Sequence, residues 1–241
     1  MATSTEFFNF LNSCTLEKTS DDCYTPVAVY DEVVKFVGEK IIDLSDRIIV
    51  RPFYPGGDYE HFEYPDNCIV IDNPPFSIFK RILEFYVSRK IPFFFFCPGL
   101  QAFRPFPLCY IVAGAEVRYH NGLVINTGFV TNLVPGIRVW ISGTLHDRIN
   151  MAQNKKCANV KKAKSSHYRR GCLPPYIITS ARLSKYCTKG KDLKIKANQI
   201  LCFVHTWGKA RVYGCGFCIS DEAVKEIAAT FTDDDRKNDI F

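Results

Sequence analysis

The chain has 241 residues, of which 47% are hydrophobic and 23% are charged, and its net charge is +6. This composition is typical of one good-sized globular domain and excludes a chain that is disordered throughout. The most apolar stretch, IPFFFFCPGL, is about half as long as a membrane-spanning helix, and the N-terminus lacks a signal-peptide pattern, so we expect a cytoplasmic protein with no membrane partner.

The first hundred residues alternate predicted helices and strands. Residues 25–40 carry valines at helical spacing, with a proline at the start and a glycine near the end, and predict a helix. Short apolar strands are predicted at 47–53, 67–72 and 91–98, with an amphipathic helix over 77–90. Continuous apolar strands separated by a helix favour an α/β fold whose parallel sheet is covered by helices on both faces.

The remaining elements are predicted less completely. Residues 109–145 alternate and turn at glycine and asparagine, which indicates the antiparallel hairpin end of a mixed sheet. An apolar strand is expected in CGFCI, and a helix over 220–231 with Ser220 as its cap. We expect three parts: a core at 1–150, a basic recognition region at 151–215, and a strand and helix at 216–241 that pack back on the core.

Positive charge is concentrated between these two ends. Residues 151–215 carry 15 basic residues and one acidic residue, whereas the flanking parts each carry a net charge of −4. Such a block with interleaved tyrosines is typical of a surface that faces nucleic-acid phosphates; a solvated loop that only aids solubility is the alternative. The residues expected to contact DNA are Lys161, Lys162, Lys164, Arg169 and Arg170.

The 11 cysteines are odd in number and scattered, which favours free, mostly buried thiols over a disulfide scaffold. The pair Cys215 and Cys218 forms a single C-x-x-C, and Cys202 and His205 could complete a zinc site on paper. A lone C-x-x-C is a weak signal, since structural zinc needs four ligands. We therefore interpret CGFCI as an apolar strand and expect no metal.

The segment CIVIDNPPFS places a buried strand directly before two prolines. The prolines make the loop stiff and donate no hydrogen bonds, so the side-chain oxygen of Asn73 and the carbonyl of Pro74 can act as acceptors. Phe76 adds an aromatic face. Ligands of open parallel sheets bind beyond the carboxyl ends of the strands. Two acceptors beside a ring suit the exocyclic amino group of a planar base.

Asn73-Pro74-Pro75-Phe76 resembles the Asp/Asn/Ser-Pro-Pro-aromatic motif of DNA adenine-N6 methyltransferases. YTPVAVYDEVVKF and RPFYPGGDYE resemble, in the same order, the Thr-Pro helix and the glycine turn of that family. With NGLVINTGFVTNL, these segments are most similar to the EcoRI-type adenine methyltransferases and related phage and plasmid proteins. The resemblance covers most of residues 22–145.

The resemblance implies a Rossmann-like methyltransferase fold that binds S-adenosyl-L-methionine. It also implies a double-stranded DNA partner, whose target adenine is flipped out, stacked on Phe76 and held at N6 by Asn73 and Pro74. The implied setting is a bacterial or phage-infected cell, and it stays open whether the protein belongs to a restriction-modification system or stands alone. Methyl transfer would be direct, without a metal or a covalent intermediate. The implied cofactor-binding residues are Tyr24, Thr25, Pro26, Phe53, Gly56, Gly57, Asp58 and Asp72.

Two departures from the family pattern leave alternatives open. Arg51 stands where the family has an acidic residue, and only 15 residues separate Gly57 from Asp72, which is short for the strands that hold the cofactor. Asp58, Glu60 or Asp66 could supply the missing carboxylate, or DNA or a partner could complete the pocket. The alternatives are an inactive methyltransferase-like DNA-binding protein of a mobile element, an RNA-base methyltransferase, or an enzyme that acts on protein glutamine.

Overall fold

A computed structural model of the chain describes residues 25–53, 57–99, 106–120, 122–154, 175–204 and 216–231. Its strands are β1 (Ile48–Val50), β2 (Cys68–Asp72), β3 (Phe93–Pro98), β4 (Cys109–Arg118), β5 (Val124–Thr131), β6 (Ile137–Ser142), β7 (Ile177–Thr179), β8 (Asp192–Lys196), β9 (Ile200–Val204) and β10 (Gly216–Ile219). Its helices are α1 (Val27–Lys40), α2 (Phe79–Ser88), α3 (Gly143–Ala152), α4 (Ser180–Cys187) and α5 (Asp221–Thr230), with a 3₁₀ turn at Ala197–Gln199.

The main sheet has seven strands in the order β1-β2-β3-β5-β4-β6-β8. Strands β1, β2 and β3 pair in parallel, and β4 pairs in parallel with β6. Strand β5 lies antiparallel between β3 and β4, and β8 is antiparallel to β6. Five of the seven strands therefore share one direction. The predicted parallel strands and the antiparallel hairpin are both confirmed.

Both faces of this sheet are covered by helices, because successive side chains of its inner strands point to opposite sides. On β3, Phe93 and Phe95 pack in one core, and Phe94 and Phe96 pack in the other. The first core also contains the buried faces of α2, α4 and α5, and the second contains those of α1 and α3. Each fully buried phenylalanine contributes about 1.5–3 kcal/mol of transfer free energy. The predicted two-sided covering is confirmed.

Residues 175–204 contribute to the main sheet as well as to a second one. Strand β8 forms the edge beside β6, while β7, β10 and β9 form a three-stranded antiparallel sheet. Helix α4 packs on β4 at a bulge where Gly114 has φ +59 and a Cβ would lie 2.7 Å from the carbonyl oxygen of Ser184. Only glycine suits that position. The Cys187 thiol donates to the Val112 carbonyl beside it.

Helix α3 begins at a capped terminus that joins three elements. The Ser142 hydroxyl accepts a hydrogen bond from the Leu145 amide. The Asp192 carboxylate, at the start of β8, accepts hydrogen bonds from the Trp140 indole, the Ser142 hydroxyl and the Thr144 amide. A carboxylate at a helix N-terminus also complements the helix dipole. Asp192, the single acidic residue of the basic region at 151–215, therefore stabilises the start of α3.

Among the helices that the structure describes, none is both long and apolar enough to cross a bilayer.

Candidate functional site

The proline loop follows β2 directly, at the edge where the parallel strands β1 to β3 have their carboxyl ends. Pro74 is buried, and Asn73, Pro75 and Phe76 are half-buried. The Phe76 carbonyl accepts a hydrogen bond from the Phe79 amide, which begins α2. The loop thus occupies the position at which an open parallel sheet binds its ligands.

The Phe76 ring is neither in the core nor fully exposed. It packs edge to face on Phe79, with 6.2 Å between the ring centroids, and lies against the core on the α2 side of the sheet. An aromatic ring in that setting is held at one side and keeps accessible surface, which a stacking residue requires.

The Asp72 carboxylate, only 2% exposed, holds the ends of two strands together. Its Oδ1 accepts hydrogen bonds from the Asn73 amide at 2.9 Å and from Arg51 Nε at 3.3 Å. Its Oδ2 accepts a hydrogen bond from the Phe53 amide at 3.0 Å. Both oxygens are therefore engaged with protein groups, and one of them fixes the backbone of Asn73.

Arg51 connects this carboxylate to helix α1. Its guanidinium carbon lies 4.0 Å from the centroid of the Tyr30 ring, and its side chain is 37% exposed. The Tyr30 hydroxyl donates to the Ile71 carbonyl on β2 at 3.0 Å. Burial raises the pKa of the Tyr30 phenol well above its usual range, so Tyr30 stays a neutral donor.

Three sequence motifs that lie apart in the chain are thereby joined at one edge of the sheet. Tyr30 belongs to the Thr-Pro helix, Arg51 to the segment before the glycine turn, and Asp72 to the strand before the proline loop. We call Tyr30, Arg51 and Asp72 the edge triad. Sequence reasoning singled out Arg51 as a departure but missed Tyr30, because no spacing rule relates residues on a helix and on separate strands.

Thr25, which precedes α1, has a buried hydroxyl. The residue is 8% exposed, and its Oγ1 has no hydrogen-bond partner among the residues the structure describes. The Pro26 carbonyl accepts a hydrogen bond from the Tyr30 amide and so starts the helix, as the sequence predicts. A buried, unsatisfied hydroxyl is costly without a partner, so it suits a ligand-binding position. Tyr24 lies outside the described residues.

In the glycine turn, residues 54–56, which include Gly56, lie outside the described residues. Gly57 is described and is half-buried. The Phe53 ring packs among aromatic residues, 5.3 Å from Tyr59 and 5.5 Å from Phe95. The exposed Asp58 carboxylate lies 2.7 Å from His61, and this hydrogen bond lowers the pKa of Asp58. Phe53 is thus partly buried against the core on the α2 side of the sheet, whereas Asp58 is at the surface.

Glu60 and Asp66 are the two other carboxylates that could replace the acid at the position of Arg51. Glu60 forms an ion pair with Arg81 at 2.7 Å and accepts a hydrogen bond from the Tyr59 hydroxyl. Asp66 is exposed in the turn before β2. Neither shares a described contact with the edge triad.

Strand β1 is the outermost strand on one side of the main sheet in the described part of the chain. Its outer residues Ile48 and Ile49 are 45% and 36% exposed. Residues 57–67 contain turns and no strand. The short spacing between Gly57 and Asp72 therefore corresponds to a described sheet that has no further strand beyond β1.

The residues predicted to contact DNA lie outside the described residues: Lys161, Lys162, Lys164, Arg169 and Arg170. The same holds for Cys215 and His205, two of the four residues that could form a zinc site. Within the described ranges, no group of three or more His, Cys, Asp and Glu side chains could hold a metal ion.

In comparisons with known proteins, no protein-family model, no curated protein and no solved structure matches this chain. Its function must therefore be inferred from its own residues.

Proposed function

We propose that this protein is an S-adenosyl-L-methionine-dependent methyltransferase that modifies the N6 amino group of adenine in DNA. The observation that carries the proposal is the edge triad, which joins the Thr-Pro helix, the Arg51 segment and the Asn-Pro-Pro-Phe loop at the carboxyl edge of the sheet. These are the segments on which the family resemblance rests, and ligands of open α/β sheets bind at this edge.

The loop supplies groups that suit an exocyclic amine. The Asn73 amide oxygen and the Pro74 carbonyl would accept hydrogen bonds from its two N–H groups, leaving the nitrogen lone pair directed away from the ring plane. Asp72 fixes the Asn73 backbone through the hydrogen bond to its amide. The two prolines limit the loop to extended geometry. Such fixed dipoles favour the transition state because they need no reorganisation during the reaction.

Two residues of the resembling segments fit a bound cofactor. The buried Thr25 hydroxyl has no hydrogen-bond partner among the described residues, and Gly57 permits close approach of a ligand to the backbone. Asp72 would act indirectly, by ordering Phe53 and Asn73, because its oxygens already accept three hydrogen bonds. S-adenosyl-L-methionine, when bound there, would supply the methyl group.

DNA as the substrate is supported by the basic region and by the resemblance. Residues 151–215 carry a net charge of +14, which suits phosphate contacts. An adenine in a duplex is reached only after it is flipped out, and the half-buried Phe76 ring would stack on the flipped base. The same groups would serve an RNA base, so RNA is a necessary competitor substrate in any assay.

A second candidate is a catalytically inactive, methyltransferase-like DNA-binding protein. Two observations favour it: Arg51 places a cation where the family has an acid, and the described sheet ends at β1 without further strands on that side. Calorimetry with S-adenosyl-L-methionine, with and without DNA, separates the two candidates. Cofactor binding under either condition supports the enzyme, whereas DNA binding alone supports the second candidate.

The activity test uses tritiated S-adenosyl-L-methionine with duplex DNA and with RNA of the same sequence. We expect transfer to DNA, and we expect Asn73→Ala to lower turnover at least about a hundredfold while sparing folding, as commonly follows the loss of one preorganised catalytic hydrogen bond. Asn67→Ala is the matched control, because Asn67 is exposed before β2, away from the loop. Transfer by Asn73→Ala at the wild-type rate would show that this loop is not the catalytic site.

A further inference from the structure

Six cysteines of the described residues have free thiols. Cys68, Cys97, Cys109 and Cys187 are buried in the two cores, whereas Cys202 is exposed and Cys218 is half-buried. Burial raises the pKa of the core thiols, that of Cys109 to about 12, so they hold their protons at neutral pH. The chemistry of accessible thiols in the described part of the chain therefore belongs to Cys202 and Cys218.

These two cysteines face each other across the small sheet. Cys202 on β9 and Cys218 on β10 are direct partners in the antiparallel register. Directly opposed residues of antiparallel strands have Cα atoms about 4.5–5.5 Å apart, and disulfides usually span about 4.4–6.8 Å. The Cys218 pKa is raised by its partial burial and by a side-chain hydrogen bond with Cys202. The register alone therefore places the two side chains opposite each other on neighbouring strands.

A register shift lies directly beside the pair, between Cys218 and Ile219. Such a bulge increases the local twist of the strands and changes the direction of neighbouring side chains. The next residue pair toward the other end, Phe217 and Phe203, is in regular register. The pair thus lies between a regular part of the ladder and a bulge, where the direction of the two side chains is set by the local twist.

We propose that Cys202 and Cys218 are a modification site at which a reversible disulfide joins β9 to β10. The oxidant is a small-molecule disulfide such as oxidised glutathione. The exposed Cys202 thiolate attacks it, forming a mixed disulfide and releasing one glutathione thiolate. The Cys218 thiolate then attacks the Cys202 sulfur and releases the second glutathione. Two protein thiols lose two electrons and two protons, and one glutathione disulfide becomes two thiols.

The experiment treats the folded full-length chain with oxidised glutathione, blocks remaining thiols, and maps disulfide-linked peptides by mass spectrometry. We expect a Cys202–Cys218 cross-link that a dithiol reductant removes. Cys218→Ser should instead accumulate glutathione on Cys202, because the substitution removes the thiol that resolves the mixed disulfide. Cys109→Ser is the control, since it removes a core thiol and should leave the cross-link unchanged.

Cys215 tests the assignment further, because it forms the C-x-x-C with Cys218. Cys215→Ser should retain the cross-link at the wild-type yield. A peptide pairing Cys215 with Cys218, or loss of the cross-link in Cys215→Ser with unchanged circular dichroism, would overturn the proposal. Persistent free thiols at both Cys202 and Cys218 in the folded wild type after treatment would overturn it as well. None of these outcomes bears on the proposed methyltransferase activity.

Discussion

Replacement of Asp72 by alanine should destabilise the protein strongly, because this carboxylate accepts three hydrogen bonds from Arg51, Phe53 and Asn73. A hydrogen bond to a charged group contributes about 1.5–3 kcal/mol, but such contributions are not additive when one group makes all of them. The Arg51 side chain is 37% exposed and can be rehydrated, which reduces the loss. We expect Asp72→Ala to lower the free energy of unfolding by about 3 kcal/mol.

The measurement is urea denaturation followed by circular dichroism, with Asp58→Asn as the control. Asp58 is an exposed carboxylate on the neighbouring turn, so its replacement should leave the free energy of unfolding nearly unchanged. Asp72→Asn keeps the shape and one acceptor, and we expect it to cost about half as much as Asp72→Ala. A loss of about 3 kcal/mol corresponds to a fall in Tm of about 6–12 °C for a protein of this size.

A double-mutant cycle with Arg51→Met separates the ion pair from the two amide contacts. We expect a coupling energy of about 0.5–1 kcal/mol, in the range of partly exposed ion pairs. Most of the Asp72 effect should thus remain when Arg51 is absent. If Asp72→Ala matched Asp58→Asn in stability, the view that Asp72 orders both strand ends would be refuted.

Three further predictions concern the base-stacking ring, the basic region and alkaline pH. Phe76→Ala should weaken capture of the flipped base by about 1–3 kcal/mol, measured as a rise in KM for DNA. Phe76→Trp should retain activity, because a ring face remains. An unchanged KM with a lower Tm in Phe76→Ala would show that Phe76 only stabilises the fold. Neutralising Lys161 and Lys162 should weaken binding to all DNA sequences alike and reduce the salt slope by roughly one unit per lost contact, whereas an unchanged slope would place the DNA surface elsewhere. Burial raises the pKa of the Tyr64 phenol to about 12. As pH rises, the unfolded chain therefore loses the Tyr64 proton before the folded chain does. The contribution of Tyr64 to stability is constant below its ordinary pKa of 10.0 and is lost as pH rises toward 12. In denaturation measured at several pH values, Tyr64→Phe should make this fall in stability shallower.

The sequence was most informative where a repeating apolar pattern coincided with clear end signals. Helix α1 has valines at helical spacing, and β3 is a continuous phenylalanine run, so both were predicted within two residues of their observed ends. Ser220 was predicted to cap α5, and its hydroxyl does accept the Ala223 amide. In each case neighbouring residues alone determine the local structure.

The sequence was least informative where the structure depends on distant partners. Helix α3 was missed because its ten residues have weak periodicity, and its start is stabilised by Asp192, nearly fifty residues away. Helix α4 and strand β8 were missed because residues 151–215 were interpreted from their charge alone, although Leu193 and Ile195 alternate with polar residues in β8. The same holds for the site: the proline loop was found from four consecutive residues, but the contact between Tyr30 and Arg51 exists only after the sheet has formed.

The strand order has a consequence for how the chain assembles while it is being synthesised. Strand β1 at one edge emerges first, and β2 and β3 each find their neighbour already present. Strand β4 emerges next without one, because the place beside β3 belongs to β5. The sheet therefore grows at that point by docking of a completed β4–β5 hairpin. A ribosome-bound chain that ends between these two strands exposes the phenylalanine-rich edge of β3, and chaperones that recognise unpaired strand edges should bind it there.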